Sequence, residues 1–139
     1  MTTRDTYNNI NILHVKDPAT QTGTVTSNTI DMQGYRSLTV LVVMGATGDT
    51  LSGSIYWTLK LRHSDDDSTY VDCTVAELLN SAATIVVNSN SGDQNTFKFG
   101  YRGGKRYVKA VITPTGTHTN GTPIGIVAVR SHAANRPVA

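Results

Sequence analysis

Residues 55–62 alternate strictly. Ile55, Trp57, Leu59 and Leu61 fall on one side, and Tyr56, Thr58, Lys60 and Arg62 on the other. A period of two predicts a strand with one buried face, and its β-branched and aromatic residues suit a pleated surface. His63 continues the inward side and is expected to be a hydrogen-bonded hairpin residue. The following run, Ser64-Asp65-Asp66-Asp67-Ser68, has short polar side chains that bond their own backbone and favour a tight turn. Residues 69–73 resume an extended pattern. The stretch is thus a β-hairpin that points the only tryptophan at the core.

Other segments carry the same signal more weakly. Ile10, Ile12 and Val15 predict a first strand ended by Asp17-Pro18. Residues 23–32 form a second extended segment anchored by Val25 and Ile30. The run Ser37 to Gly45 is nearly continuous in β-branched residues and predicts the most buried strand. Residues 45–53 read as a loop; GATGDT lacks the GK[ST] ending of a phosphate-binding loop. Residues 75–79 (VAELL) are the one place for a helical turn. Short strands follow at 84–87, 96–101, 107–113 and 124–130, with loops at 88–95 and 114–123 and a turn at Gly103-Gly104. On the 96–101 strand Phe97, Phe99 and Tyr101 oppose Lys98. On the next, Val108, Ala110 and Ile112 oppose Tyr107, Lys109 and Val111.

About eight short antiparallel strands with turn signals roughly every ten residues predict a single all-β domain, a β-sandwich or jelly roll spanning residues 1–139. Residues 1–9 read as an extended polar N-terminal arm and residues 132–139 as a C-terminal tail.

Composition agrees. The chain holds 21 threonines and a single glutamate, Glu77, so helix formers are scarce. With 139 residues it is long enough for a core without staples. Its lone cysteine, Cys73, permits no intrachain disulfide and reads as a small strand residue. The longest apolar run, Val40 to Met44, is far short of a membrane span of ~20 residues. No apolar leader follows Met1, which implies a protein made in the cytoplasm with no membrane role. Asn120-Gly121-Thr122 fits a glycosylation sequon and reads simply as a turn.

Candidate chemistry is sparse. His14, His63, His118 and His132 lie in different segments, and none falls in a metalloprotease or serine-hydrolase motif. Neither a catalytic set, a metal nor a cofactor is predicted. Asp65, Asp66 and Asp67 resemble a hard-cation cluster only superficially: three adjacent aspartates on an extended chain cannot converge on one ion. The charges are segregated, however. Lys98, Arg102, Lys105, Arg106 and Lys109 fall within twelve residues without an acid; Asp65, Asp66, Asp67, Asp72 and Glu77 fall within thirteen without a base. Such patches pair internally, dock a second copy or dock a charged partner. Direct nucleic-acid binding is not expected. The net charge is only +2, and alternation sends the phenylalanines to the side opposite Lys98.

Three sets of residues carry a family resemblance. Leu59-x-Leu61-x-x-Ser64-Asp65-Asp66 with Tyr70-x-Asp72 resembles a strand–turn–strand motif of small virion proteins of tailed bacteriophages. Gly104-Lys105-Arg106-Tyr107-Val108 is similar to a later strand of that family. Ala128-Val129, His132 and Arg136-Pro137-Val138 resemble its C-terminal end. Asp67 stands where that family often has glycine, Tyr70 stands where tryptophan is common, and the first 30 residues match no part of it. The resemblance implies a jelly-roll protein on the outer surface of an HK97-type capsid. It would cement the shell by bridging neighbouring major capsid protein subunits, as a homodimer or a trimer, without an active site or cofactor. Arg4, Tyr7, Lys98, Arg102, Lys105, Arg106, Lys109, His132 and Arg136 are then the candidate interaction residues. The alternatives are a head-fibre base or tail protein on the same sandwich, and a carbohydrate-binding module using Trp57 and the tyrosines as stacking platforms.

Overall fold

A computed structural model describes residues 5–135. A short 3₁₀ turn, Tyr7–Asn9, leads into ten strands: β1 Ile10–Gln21, β2 Val25–Thr26, β3 Ile30–Asp31, β4 Tyr35–Met44, β5 Tyr56–Ser64, β6 Val71–Asp72, β7 Thr84–Val87, β8 Thr96–Tyr101, β9 Tyr107–Thr115 and β10 Thr122–Ala133. All pairings are antiparallel. One sheet has four strands in the order β1-β10-β4-β8. The other has β2-β9-β5-β6, with β3 also on β9 and β7 also on β5. Early strands therefore pair with late ones: β1 with β10, β2 and β3 with β9, β4 with β8, β5 with β7. This is a long hairpin rolled into two sheets, the jelly roll. Among the described residues no helix is long and apolar enough to cross a membrane.

The core lies where the period-two pattern puts it. Trp57, Leu59 and Leu61 of β5, Val108, Ala110 and Ile112 of β9, and Phe99 and Tyr101 of β8 are all buried, against Leu38, Val40, Val42 and Met44 of β4 and Ile124, Ile126 and Ala128 of β10. The Trp57 indole N–H donates to Thr122 Oγ1 at 3.0 Å, and the Thr122 hydroxyl donates to Thr47 Oγ1 at 2.8 Å. This satisfies the one polar atom that so large a buried ring carries. His63 is buried as its parity requires, its Nδ1 2.9 Å from the Tyr101 hydroxyl. Cys73 is buried as well, and burial pushes its thiol up to about 12.

Several boundaries differ from expectation. There are ten strands rather than about eight, in part because residues 23–32 split into β2 and β3. Between them the Ser27 N–H donates to the Ala110 carbonyl and the Asn28 N–H to the Val15 carbonyl, which ties this segment to both sheets. Asp17-Pro18 does not end the first strand. β1 passes through it with irregularities between His14 and Lys16 and between Lys16 and Ala19. An edge strand tolerates proline because the missing N–H faces no partner. The loop expected at 114–123 contracts to residues 116–121, since Pro114 and Thr115 pair with Trp57 and Tyr56. His132 and Ala133 belong to β10 rather than to a tail; His132 takes φ +52°, and Ala133 pairs with Tyr35.

The helical turn at 75–79 is realised as a 3₁₀ turn, Val75–Glu77, capped by Thr74. The Thr74 N–H donates to Glu77 Oε2 at 2.6 Å, and the Ala76 N–H to Thr74 Oγ1 at 3.3 Å. The chain then runs along the free edge of β8. The Leu79 N–H donates to the Gly100 carbonyl, the Arg102 N–H to the Glu77 carbonyl, and the Asn80 amide both donates to the Lys98 carbonyl and accepts from the Gly100 N–H. That edge is thereby closed to a further strand.

Candidate functional site

The basic stretch does not form one patch. Lys109 lies on the outer side of the six-stranded sheet with its ammonium 4.5 Å from the Tyr70 ring centroid. Lys98 projects from the outer side of the four-stranded sheet. Arg102, Lys105 and Arg106 gather at one end of the sandwich, and each has a partner. Arg102 Nε donates to the Ala76 carbonyl, and Lys105 pairs with Asp65. Arg106 grips Asp31 with two bonds of 2.9 and 2.8 Å and also reaches Gln33. The two charged runs meet in a single ion pair, Lys105–Asp65, while Arg106 and Asp72 find their partners outside the opposite run. Beside them is an open groove of about 480 Å³ lined by Met32, Tyr35, Arg36, Gly103 and Gly104. Tyr7 is exposed, while Arg4 and Arg136 lie outside the described residues. The His132 ring faces the Ser131 hydroxyl at 3.3 Å.

The acidic turn disperses its three carboxylates. Asp65 goes to Lys105. Asp66 turns back on its own loop, accepting from the Ser64 hydroxyl at 2.7 Å and from the N–H groups of Ser68 and Thr69 at 2.9 and 2.8 Å. Asp67, at φ +57°, accepts from the hydroxyls of Thr29 and Tyr70. Burial, aided by the Asp67 carboxylate, pushes Tyr70 up to about 12. Among the described residues no three His, Cys, Asp or Glu side chains converge on a common point for a metal ion. Trp57 is fully buried and is no platform for a sugar ring.

Two of these carboxylates make stability depend on acid. Bonding to Arg106 holds Asp31 down to about 2, and the Ser64 hydroxyl with two backbone N–H groups does the same for Asp66. A carboxylate depressed in the folded state stabilises it above the unfolded value of about 4, and that contribution vanishes as pH falls through the folded value. The thermal midpoint is therefore expected to drop between pH ~5 and ~2, after a shallower decline that starts near pH ~6.5, where burial disfavours the charged form of His63. Asp31→Asn and Asp66→Asn should each lower the plateau and flatten the slope; melting curves at successive pH values check this. An unchanged slope in both variants would refute the assignment.

Two features were not anticipated. The first is a clasp at the loop following Met44. Asp49 accepts from the N–H groups of Asn120, Gly121 and Thr119 at 2.9, 2.8 and 3.1 Å, which depresses its carboxyl and pins the β9–β10 turn. His118, wholly buried, stacks on Trp57 with centroids 4.5 Å apart, and its Nδ1 lies 3.8 Å from Asp49 Oδ2. The GATGDT segment is a lock for a distant turn.

The second is the outer side of the four-stranded sheet. Register places Ile12, Val129, Thr39 and Gly100 in one row, His14, Val127, Leu41 and Lys98 in the next, and Gly125, Val43 and Thr96 in a third. Leu79 lies over Gly100: a methyl group added there would meet its Cδ1 at 2.9 Å. The result is a broad apolar surface on which Ile12, Val43 and Leu79 are 62%, 48% and 72% exposed. Where β1 bends at Pro18 this surface opens into a cleft of about 510 Å³ bounded by Ala19, Val43, Pro123 and Ile126. No helix or loop covers the central rows among the described residues. The signal was present in the sequence. The run Ser37 to Gly45 is apolar at both parities, which reads as a strand buried on both sides; in fact only Leu38, Val40, Val42 and Met44 are.

No protein-family model matches this chain, and no curated protein sequence matches it. Among solved structures, a Bacillus endospore appendage of a family of disulfide-linked pili is similar over 91% of this chain and 90% of that one. Sequence identity is 14% and the TM-score 0.48.

Proposed function

We propose that this chain is a structural virion protein that decorates and cements an icosahedral capsid by bridging neighbouring major capsid protein subunits on the outer surface. The observation that carries the reading is the division of labour between the two sheets. The outer side of the six-stranded sheet is mostly polar, Val86 being exposed on it, and its charges are held within the chain: Lys60 and Arg62 both pair with Asp72 at 2.9 Å, and Lys109 sits over Tyr70. The outer side of the four-stranded sheet is apolar and exposed, as a surface made to adhere to protein is. Ile10 and Ser131 are register partners, so the chain enters β1 and leaves β10 at one corner. Entry and exit at one corner suit contact of both flanking segments with a single neighbour.

Sedimentation of the purified protein with shells of the source particle, before and after expansion, tests the reading. Binding at fixed stoichiometry, with lower heat resistance of stripped shells, is the expected outcome. Deletion of residues 1–9 should reduce occupancy several-fold. Recovery in tail fractions would instead favour a head-fibre base or tail role, and absence from particles would overturn the proposal.

A further inference from the structure

We propose that the outer side of the four-stranded sheet is a homodimer interface, in which two copies pack sheet against sheet across a two-fold axis running along the strands. The inference rests on the reading of this surface as one that adheres to protein and names what covers it, a second copy of this chain, which leaves shell contacts to the remaining surface of the dimer.

Three observations lead there. The surface is apolar across β1, β10 and β4, through Ile12, Val127, Val129, Leu41 and Val43, with Leu79 extending it over β8. Apolar area left in water costs about 25 cal/mol per Å² against burial, which is the drive for association. Association through strand addition is closed at the β8 edge and confined at the β1 edge to the short regular stretch of residues 10–14. Residues 77–80 occupy the β8 edge, and irregular pairing with Pro18 breaks the rest of the β1 edge. Face-to-face packing remains open, and sheets pack in this way about 10 Å apart in nearly aligned orientation.

Charge selects the partner and the axis. The two ends of the central row carry opposite features. On β1, His14 Nε2 lies 2.6 Å from Asp17 Oδ1, and the Asp17 side chain is 91% exposed. On β8, in the same row as His14, Lys98 has no partner for its ammonium among the described residues. A two-fold along the strands lays β1 of one copy over β8 of the other. It therefore brings Asp17 to Lys98 of the second copy, twice per dimer. A two-fold across the strands would lay β1 on β1 and β8 on β8, setting like charges against each other. Lys16 stands on the same edge between His14 and Asp17, its register partner Ile126 next to Val127, and it lines the cleft beside this rim. A surface whose apolar middle and charged rims complement themselves under one rotation is what an isologous dimer requires.

Size sets the strength. Four strands about 4.8 Å apart, each presenting about six residues at about 3.3 Å, span roughly 400 Å² per copy. That is at the small end of specific interfaces, so the free protein should dimerise with a dissociation constant of roughly tens of micromolar.

Sedimentation equilibrium from about 1 to 500 µM, with circular dichroism to confirm folding, gives the test. The wild type should pass from monomer to dimer across this range. Leu41→Asp should leave a folded monomer throughout. Lys98→Glu, an exposed change that spares the fold, should weaken dimerisation at least tenfold, and Asp17→Lys combined with Lys98→Glu should restore most of it. A wild type that stays monomeric, or a dimer indifferent to both single variants, overturns the inference; so does failure of the charge swap to recover association. Shell binding separates this from the cement reading. Dimerisation without shell binding would retire the cement role and keep the interface. A monomer that binds shells through Leu41 would do the reverse.

Discussion

Trp57→Ala is expected to lower the stability of the fold by about 3–5 kcal/mol, the range for emptying the site of a large buried aromatic. Trp57 is fully buried near the start of β5, paired with Pro114 on one side and Val87 on the other. Its ring stacks on His118 and its N–H is bonded to Thr122. Truncation removes all three roles. The cavity faces His118, whose Nδ1 already has no hydrogen-bond partner within the protein. β9 cannot collapse into the space, because it is held between β5 and the β2 and β3 segments; β7 is held by β5 alone. For a chain of this length the thermal midpoint should fall by roughly 10–20 °C. Trp57→Phe keeps most of the volume and loses only the N–H contact, so it should cost about half as much or less. Chemical denaturation followed by circular dichroism measures both, since the variants lack the only tryptophan. A cost below about 1 kcal/mol for the alanine variant would mean that the core is not organised around this ring.

Gly116→Ala should be the next most damaging single change, by about 2–3 kcal/mol. Gly116 sits at φ +79° in the turn between β9 and β10, in the left-handed region that costs a non-glycine residue about 1–2 kcal/mol. Here a Cβ would also press on the Ser54 carbonyl oxygen and approach Ile55 Cγ1 at 3.0 Å. Backbone cannot yield as the end of a side chain does, so the β5 entry or the turn has to shift. Gly104→Ala is the matched control. Its Cβ would meet nothing within 4 Å, and it should change stability by less than about 0.5 kcal/mol. Equal effects at both positions would remove the case for strain at Gly116.

The two substitutions locate what the domain is fastened by. Trp57 joins the two sheets from within. Gly116 and the Asp49 clasp join the β9–β10 turn to the loop after β4 from outside. The surface proposed for dimerisation is remote from both, so variants at Leu41 and Lys98 read association rather than folding. Acid acts on a third group of contacts, at Asp31 and Asp66, where lost ionisation weakens links between loops while the apolar core stays intact.

Strand identity and inward parity were legible wherever residues alternate cleanly. β5, β8 and β9 are cases in which a period-two pattern leaves one assignment, and Trp57, His63, Phe99 and Val108 lie inside as that pattern requires. The capped turn at Thr74–Glu77 was legible too, being entirely local. Pro18 misled because the cost of proline depends on whether its neighbour is an interior or an edge strand, which no local pattern states. The short strands β2 and β3 escaped for a similar reason: each exists only because β9 offers a partner.

By itself the sequence determined an all-β chain, its central hairpin and the face of each alternating strand that is buried. Those properties follow from side-chain period and composition, which act over a few residues. Tertiary structure alone decided that Lys105 spends its charge on Asp65, and Arg106 on Asp31. It also decided that Asp49 clasps a turn some seventy residues away, and that one apolar sheet face is left uncovered. A continuous apolar strand reads the same whether its second face meets a helix, a second sheet or water. Which of these it meets is set by the rolling of the whole chain, and here the roll leaves Leu41, Val43 and Val127 facing outward.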